Sequence, residues 1–265
     1  MKKFWFILTA LAATCFLVAC SGSQGVSPKT IKEKKKIVVA TESEFAPFEF
    51  KSLVNGKDTL VGADIELAKA IGEKLGVKVE FSVMSFDNVL ANVQSGKADI
   101  AIAGISVTDE RKKVYDFSDS YYTSENVVIV KKDKVNDYTS TDSLAKQTVG
   151  TQKGSVQETV AKKQISKASV VSLTSNGEMI NELKSGQLQA VVLEKAIAEG
   201  YIAQNDDLTL ANFNLKSDGS DAYAVATRKG SDDLLKEINA VIKETKDSGK
   251  FDQWLKEAST YKQSK

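Results

Sequence analysis

The chain has 265 residues, with 36 Lys and Arg against 35 Asp and Glu. This balance lacks the basic excess of a nucleic-acid binder, so no nucleic-acid partner is expected. Histidine is absent and the only cysteines are Cys15 and Cys20, which removes Ser-His-Asp triads, Cys-His pairs and the usual zinc sites. No metal or cofactor is expected, although catalysis by carboxylate, lysine or serine stays open.

Lys2 and Lys3 precede an apolar run from Phe4 to Ala19. A basic start followed by an apolar run describes a secretory signal, and the run is short for a membrane span. "LVAC" at 17–20 resembles a bacterial lipobox, which implies a signal peptide over 1–19, cleavage before Cys20 and a lipid on that cysteine. The mature chain then has no disulfide and must be held by its own core. Residues 20–36 are polar and rich in lysine; they read as a flexible, lipid-anchored linker suited to an anionic membrane surface.

"KIVVAT" reads as a strand over 37–41. "GADIELAKAIGEKLG" reads as a helix, with Ile65, Ala68, Ile71 and Leu75 at helical spacing and Gly76 as its stop. "VKVEF" is a strand, "FDNVLANVQSG" a helix and "ADIAIAG" an apolar strand. Thr108, Asp109 and Glu110 then open a helix as N-cap and first-turn acids. Arg111 follows at once, where the helix dipole disfavours a cation. Either Asp109 and Glu110 neutralise it and these side chains point at water, or an anion belongs beside it, held by Arg111, Ser106 and free backbone N–H groups. Further on, "TVGT" is a strand and "GSVQETVAKK" a helix with a capping box from Ser155 to Glu158. "SVVSL" is a strand, a second capping box from Ser175 to Glu178 opens a helix ending at Ser185-Gly186, and "LQAVVLE" is the next strand. Alternation of this kind predicts mostly parallel sheets with helices on both faces.

Residues 93–101 ("VQSGKADIA") and 183–191 ("LKSGQLQAV") repeat a helix end, a Ser-Gly stop and a strand, which points to two similar lobes. The same offset sets Gly104 against Glu194. Each follows the carboxyl end of a strand, where open α/β sheets bind ligands. Donors and a cation on one side and a carboxylate on the other suit a zwitterion.

"ATESEFAPFEF", "GADIELAKAIGEKLG", "GKADIAIAGISVTDERKKVYDFSDSYY" and "GKFDQWLKE" resemble the polar amino-acid-binding proteins of ABC importers, the bacterial extracellular solute-binding proteins of family 3. The resemblance covers residues 37–258. It implies a type II periplasmic-binding-protein-like fold of two α/β lobes, 37–124 plus 223–265 and 125–222, joined by hinges near 123–126 and 218–222. It also implies a monomeric receptor, not an enzyme, lipid-anchored on the extracytoplasmic face of the bacterial membrane, with an ABC permease and its ATPase as partners. By the same resemblance Arg111 pairs with the ligand α-carboxylate beside Ser106, and Gly104 offers its carbonyl to the ammonium. Glu194, where most relatives carry aspartate, pairs with the α-amino group. Phe45 and Phe86 flank the ligand chain, Glu42 lies near its distal end, and Gln152 and Ser155 add contacts from the second lobe.

Plainer roles compete at single residues. Phe45 and Phe86 are also ordinary core aromatics, Glu42 a solvated loop acid and Glu194 a first-turn acid. Two acids in one cleft favour a cationic ligand, so arginine and then lysine are expected, with glutamine or cystine if Glu42 faces water. From another class, an exported cyclohexadienyl or arogenate dehydratase-like enzyme would use Glu194 or Glu42 as its acid. A surface interaction module is the third reading.

Overall fold

The computed structural model describes residues 25–217, 219 and 221–264; the signal segment, Cys20 and Asp218 lie outside them. The described residues begin with α1 (Pro28–Lys34) and β1 (Lys36–Thr41), then β2 (Glu44–Phe45), β3 (Glu49–Val54) and β4 (Lys57–Val61). Next come α2 (Ala63–Leu75), β5 (Lys78–Val83), α3 (Phe86–Gln94), β6 (Ile100–Ala101), α4 (Asp109–Lys112) and β7 (Tyr115–Phe117). Through β8 (Tyr122–Thr123) the chain enters β9 (Asn126–Lys131), β10 (Thr148–Gln152), α5 (Val156–Gln164) and β11 (Ser169–Leu173). α6 (Asn176–Ser185), β12 (Ala190–Glu194), α7 (Lys195–Ala203) and β13 (Leu208–Leu210) follow. β14 (Ala222–Tyr223) leads back to β15 (Ala226–Arg228), α8 (Asp232–Asp247) and α9 (Lys250–Ala258).

Two five-stranded sheets have matching order, β5-β1-β6-β15-β7 and β11-β10-β12-β9-β13. In each, one strand runs against its neighbours: β15 in the first and β9 in the second. Each is the strand the chain enters on crossing from the other lobe, and the crossings themselves pair as β8 with β14. The mostly parallel sheets predicted from the alternating pattern are therefore present, each with one reversed strand.

Strand alternation explains why helices cover both faces. Ile37 and Val39 of β1 cluster with the α2 residues Leu67 and Ile71, while Val38 and Ala40 cluster with Phe86, Val89 and Val93 of α3. On α2 the predicted residues Ile65, Ala68, Ile71 and Leu75 are all buried, and Gly76 ends the helix in the left-handed conformation. Gly96 and Gly186, the two Ser-Gly stops, have φ of +77° and +83°, values that glycine adopts without strain. Burying each large aliphatic side chain contributes about 1.5–3 kcal/mol.

Three local expectations change. Residues 28–34, read as part of the linker, form α1; Ser27 caps it, Pro28 starts it and Ile31 is fully buried. Only Ile100–Ala101 of "ADIAIAG" is laddered as β6, the rest being buried irregular chain. The helix after Thr108 is a single turn, because the chain must turn back almost at once into β7.

Candidate functional site

The strand ends converge between the lobes. Glu42 follows β1, Gly104 and Ser106 follow β6, Arg111 sits on α4, Gln152 ends β10 and Glu194 ends β12. Glu42, Ser106, Gln152 and Glu194 are all at most 5% exposed, so these polar groups meet in a dry seam, and Glu42 does not face water.

Thr108 caps the α4 turn by accepting from the Arg111 N–H at 3.1 Å. The guanidinium then crosses the seam. Its Nη1 donates to the Ser106 carbonyl at 2.7 Å and its Nη2 to the Gly154 carbonyl of the other lobe at 3.2 Å. Its central carbon lies 5.8 Å from the centre of the Phe86 ring, within cation–π range. Burial pushes the arginine down to about 10 against the charge of Glu194, and it stays protonated at neutral pH. A fork with five donors keeps N–H groups for a carboxylate. Outside it, a groove of about 820 Å³ opens between Thr108, Arg111, Gly154, Ser155 and Lys163.

Phe45 packs on Gly104. A Cβ at Gly104 would come within 2.6 Å of Phe45 Cε1, and the φ there is +52°. Asp64 holds this glycine from behind: its Oδ2 accepts from the Gly104 N–H at 3.0 Å and from the Tyr121 hydroxyl at 2.8 Å. In sequence Asp64 reads as one more first-turn acid, so no local signal marks this role. Burial pushes Asp64 up to about 6, and burial together with Asp64's charge raises its neighbour Glu49 well above the carboxylate range.

The two acids of the seam are held from the second lobe. Gln152 Nε2 donates to both oxygens of Glu42, at 3.1 and 3.0 Å. Burial raises Glu42 to about 8; the Gln152 hydrogen bond opposes this, and Glu44 and Glu194 add to it. Gln157 Nε2 donates to Glu194 Oε1 at 2.7 Å. Burial raises Glu194 to about 7, opposed by its own backbone, by the Gln157 hydrogen bond, by the nearby Tyr223 hydroxyl and by the Arg111 charge. Glu194 does stand at the N-cap of α7, but its side chain makes no cap hydrogen bond.

Ser155 serves its own helix. Its hydroxyl donates to the Gln152 carbonyl at 2.7 Å and accepts from the Glu158 N–H at 3.3 Å. Its proton is thus committed, and it reaches the seam as part of the wall. The predicted box closes one residue early, because Glu158 Oε2 accepts from the Gly154 N–H while the Ser155 N–H turns back to Gln152. Ser175 caps α6 by accepting from the Glu178 N–H, only this half of the expected box being present among the described residues, and it also donates to Glu44 of the first lobe at 2.6 Å. The Gly177 N–H reaches the same oxygen at 3.2 Å, and Lys153 pairs with Asp87 at 2.9 Å. Both sides of the seam are therefore tied together.

The fold is that of a type II periplasmic binding protein, with the Arg111 guanidinium and the Glu42 carboxylate on one side of a buried seam and the Glu194 carboxylate on the other. The chain belongs to the bacterial extracellular solute-binding proteins, family 3, whose family model matches residues 37–258. It is 34% identical over 261 residues to the arginine-binding extracellular protein ArtP of Bacillus subtilis (strain 168), covering 97% of each chain. It is 51% identical, with a TM-score of 0.85, to the amino acid ABC transporter substrate-binding protein AbpA from Streptococcus pneumoniae Canada MDR_19A bound to L-arginine, covering 87% of this chain and 97% of that one. The ancestral amino-acid-binding protein AncCDT-1, a precursor of cyclohexadienyl dehydratase, is 33% identical at a TM-score of 0.79, over 88% of this chain and 99% of that one. The chain is an amino-acid substrate-binding protein of the ABC-transporter type.

Proposed function

We propose that the chain captures L-arginine, and lysine less well, between its lobes and delivers it to an ABC permease while tethered through a lipid on Cys20. The observation that carries the ligand choice is that two carboxylates, Glu42 on the side of Arg111 and Glu194 on the other, are buried in the seam that the Arg111 guanidinium crosses. An amino acid with a cationic side chain brings one carboxylate for Arg111, an α-ammonium for Glu194 and a second cation for Glu42. Burial holds an isolated carboxylate neutral, and a cation beside it restores its charge. The arginine ligands named for ArtP and AbpA point the same way. Lobes 37–124 plus 223–265 and 125–222 act as the two bodies that close, because a ligand drives closure only through contacts with both.

The test is calorimetric titration of the mature chain after unfolding and refolding to strip carried-over ligand. The panel is arginine, lysine, ornithine, histidine, glutamine, glutamate and cystine. Tight binding of arginine supports the proposal. Selective binding of glutamine or cystine keeps the transport role and removes Glu42 from the side-chain contact. If a folded protein binds none of these and converts prephenate or arogenate to an aromatic product, the receptor reading is wrong. For the anchor, labelled fatty acid should enter the full-length chain in cells and be lost with Cys20→Ala.

A further inference from the structure

We propose that Gln157 is the positioning residue that aims Glu194 at the α-ammonium of the ligand, with Asn126 as its second anchor. This rests on the reading of Glu194 as the ammonium partner.

Glu194 and Asn126 are directly opposite each other in the antiparallel pairing of β12 with β9, so their side chains leave the same face of the sheet side by side. Gln157, in the first turn of α5, reaches that face. Its Nε2 lies 2.7 Å from Glu194 Oε1 and 2.7 Å from Asn126 Oδ1. An amide nitrogen has two hydrogens, and both are used here. An ionised carboxylate only accepts, so it fixes which end of the Gln157 amide faces it. Gln157 is 3% exposed and Asn126 8%, so water does not compete for these bonds.

The consequence falls on Glu194. A glutamate has one more rotatable bond than an aspartate, and its side chain makes no cap hydrogen bond to α7. One oxygen is pinned by Gln157, which fixes how the carboxylate is presented to a cation. The same donation favours the charged carboxylate over the neutral acid, the form an ammonium needs. The other charged or titratable groups acting on Glu194 are Arg111 and Tyr223, with Glu42 and Glu49 coupled to it through space. None of these is on α5, so the donor from that helix is Gln157.

The experiment is a double-mutant cycle on the mature chain, titrated with L-arginine, and with L-glutamine, which carries the same α-ammonium. Gln157→Met keeps the length and removes both donors. It is expected to weaken binding about tenfold or more in the wild-type background, and less than about twofold when Glu194 is already Gln. The des-amino analogue 5-guanidinopentanoate, which lacks the ammonium, should bind both forms within about twofold. Asn126→Ala, which leaves the Gln157–Glu194 bond in place, should cost about two- to fivefold and covers the case in which Gln157→Met does not fold. Equal weakening by Gln157→Met in both backgrounds, or of L-arginine and the des-amino analogue alike, would mean a merely structural role and overturn the proposal. Wild-type affinity in Gln157→Met alongside loss in Glu194→Gln overturns the positioning role alone. Wild-type affinity in Glu194→Gln overturns the ammonium reading and this proposal with it.

Discussion

One nitrogen of Gln152 serves both carboxylate oxygens of Glu42, at 3.1 and 3.0 Å, and so joins the end of β10 in one lobe to the end of β1 in the other. A single neutral donor is weak compensation for a fully buried carboxylate, which is why Glu42 is raised to about 8. The contact that helps close the lobes therefore leaves a proton to be displaced.

Glu42 should release that proton when a cation arrives. At neutral pH its neutral form prevails, and a guanidinium beside it favours the carboxylate. L-Arginine affinity is expected to fall as the pH drops below about 8. Titration heats at pH 7 should differ between phosphate and Tris. Glu42→Gln should reduce that difference and cost roughly 2 kcal/mol of L-arginine binding. Identical heats in the two buffers would exclude the coupling.

Arg111→Ala should abolish tight binding of every amino acid in the panel, with a loss of roughly 3 kcal/mol or more, because the ligand carboxylate loses its buried partner. Arg111→Lys should recover little, since a point charge cannot serve the Ser106 carbonyl, the Gly154 carbonyl and a carboxylate as a planar fork does. Binding by Arg111→Ala within a few-fold of wild type would refute the anchor.

Without ligand the fold should lose stability as the pH rises. Glu42, Glu194 and Asp64 hold protons up to about 8, 7 and 6, above ordinary values of 4.5, 4.5 and 3.8. Groups raised in the folded state stabilise it fully below their unfolded values, and that contribution disappears as pH climbs through the folded ones. The melting temperature of stripped protein is expected to decline between about pH 5 and pH 8. Excess L-arginine should offset the decline. A melting temperature that climbs over the same range would contradict this account of the seam.

Gly104→Ala should damage both the fold and the site. The added methyl meets Phe45 Cε1 at 2.6 Å on a backbone with φ +52°, so about 1–3 kcal/mol of stability is expected to be lost. Ligand affinity should fall with it, since relief requires Phe45 to move. Thermal melts and the same titration check both effects; an unchanged melting temperature would mean that Phe45 is free to yield.

What the sequence determined by itself was local or carried by a family motif. The spacing of Ile65, Ala68, Ile71 and Leu75, the glycine stops at 76, 96 and 186, and the caps at Thr108, Ser155 and Ser175 depend on neighbours within a turn or two, and they were legible. Arg111 stood out because a cation at a helix start is locally unfavourable. The tertiary structure alone decided how the site is held. Gln152 meets Glu42 across 110 positions, Ser175 meets Glu44 across 131, and Arg111 meets Gly154 across 43. Asp64 and Gln157 carry no local mark beyond a place in the first turn of a helix, and only the sheet order sets Gly104 and Glu194 beside them. Ile31 looked like one apolar residue in a lysine-rich linker until packing buried it. Helix and strand periods are set by backbone geometry over a few residues, whereas these contacts arise only when distant segments pack within a lobe or when the strand ends of the two lobes meet.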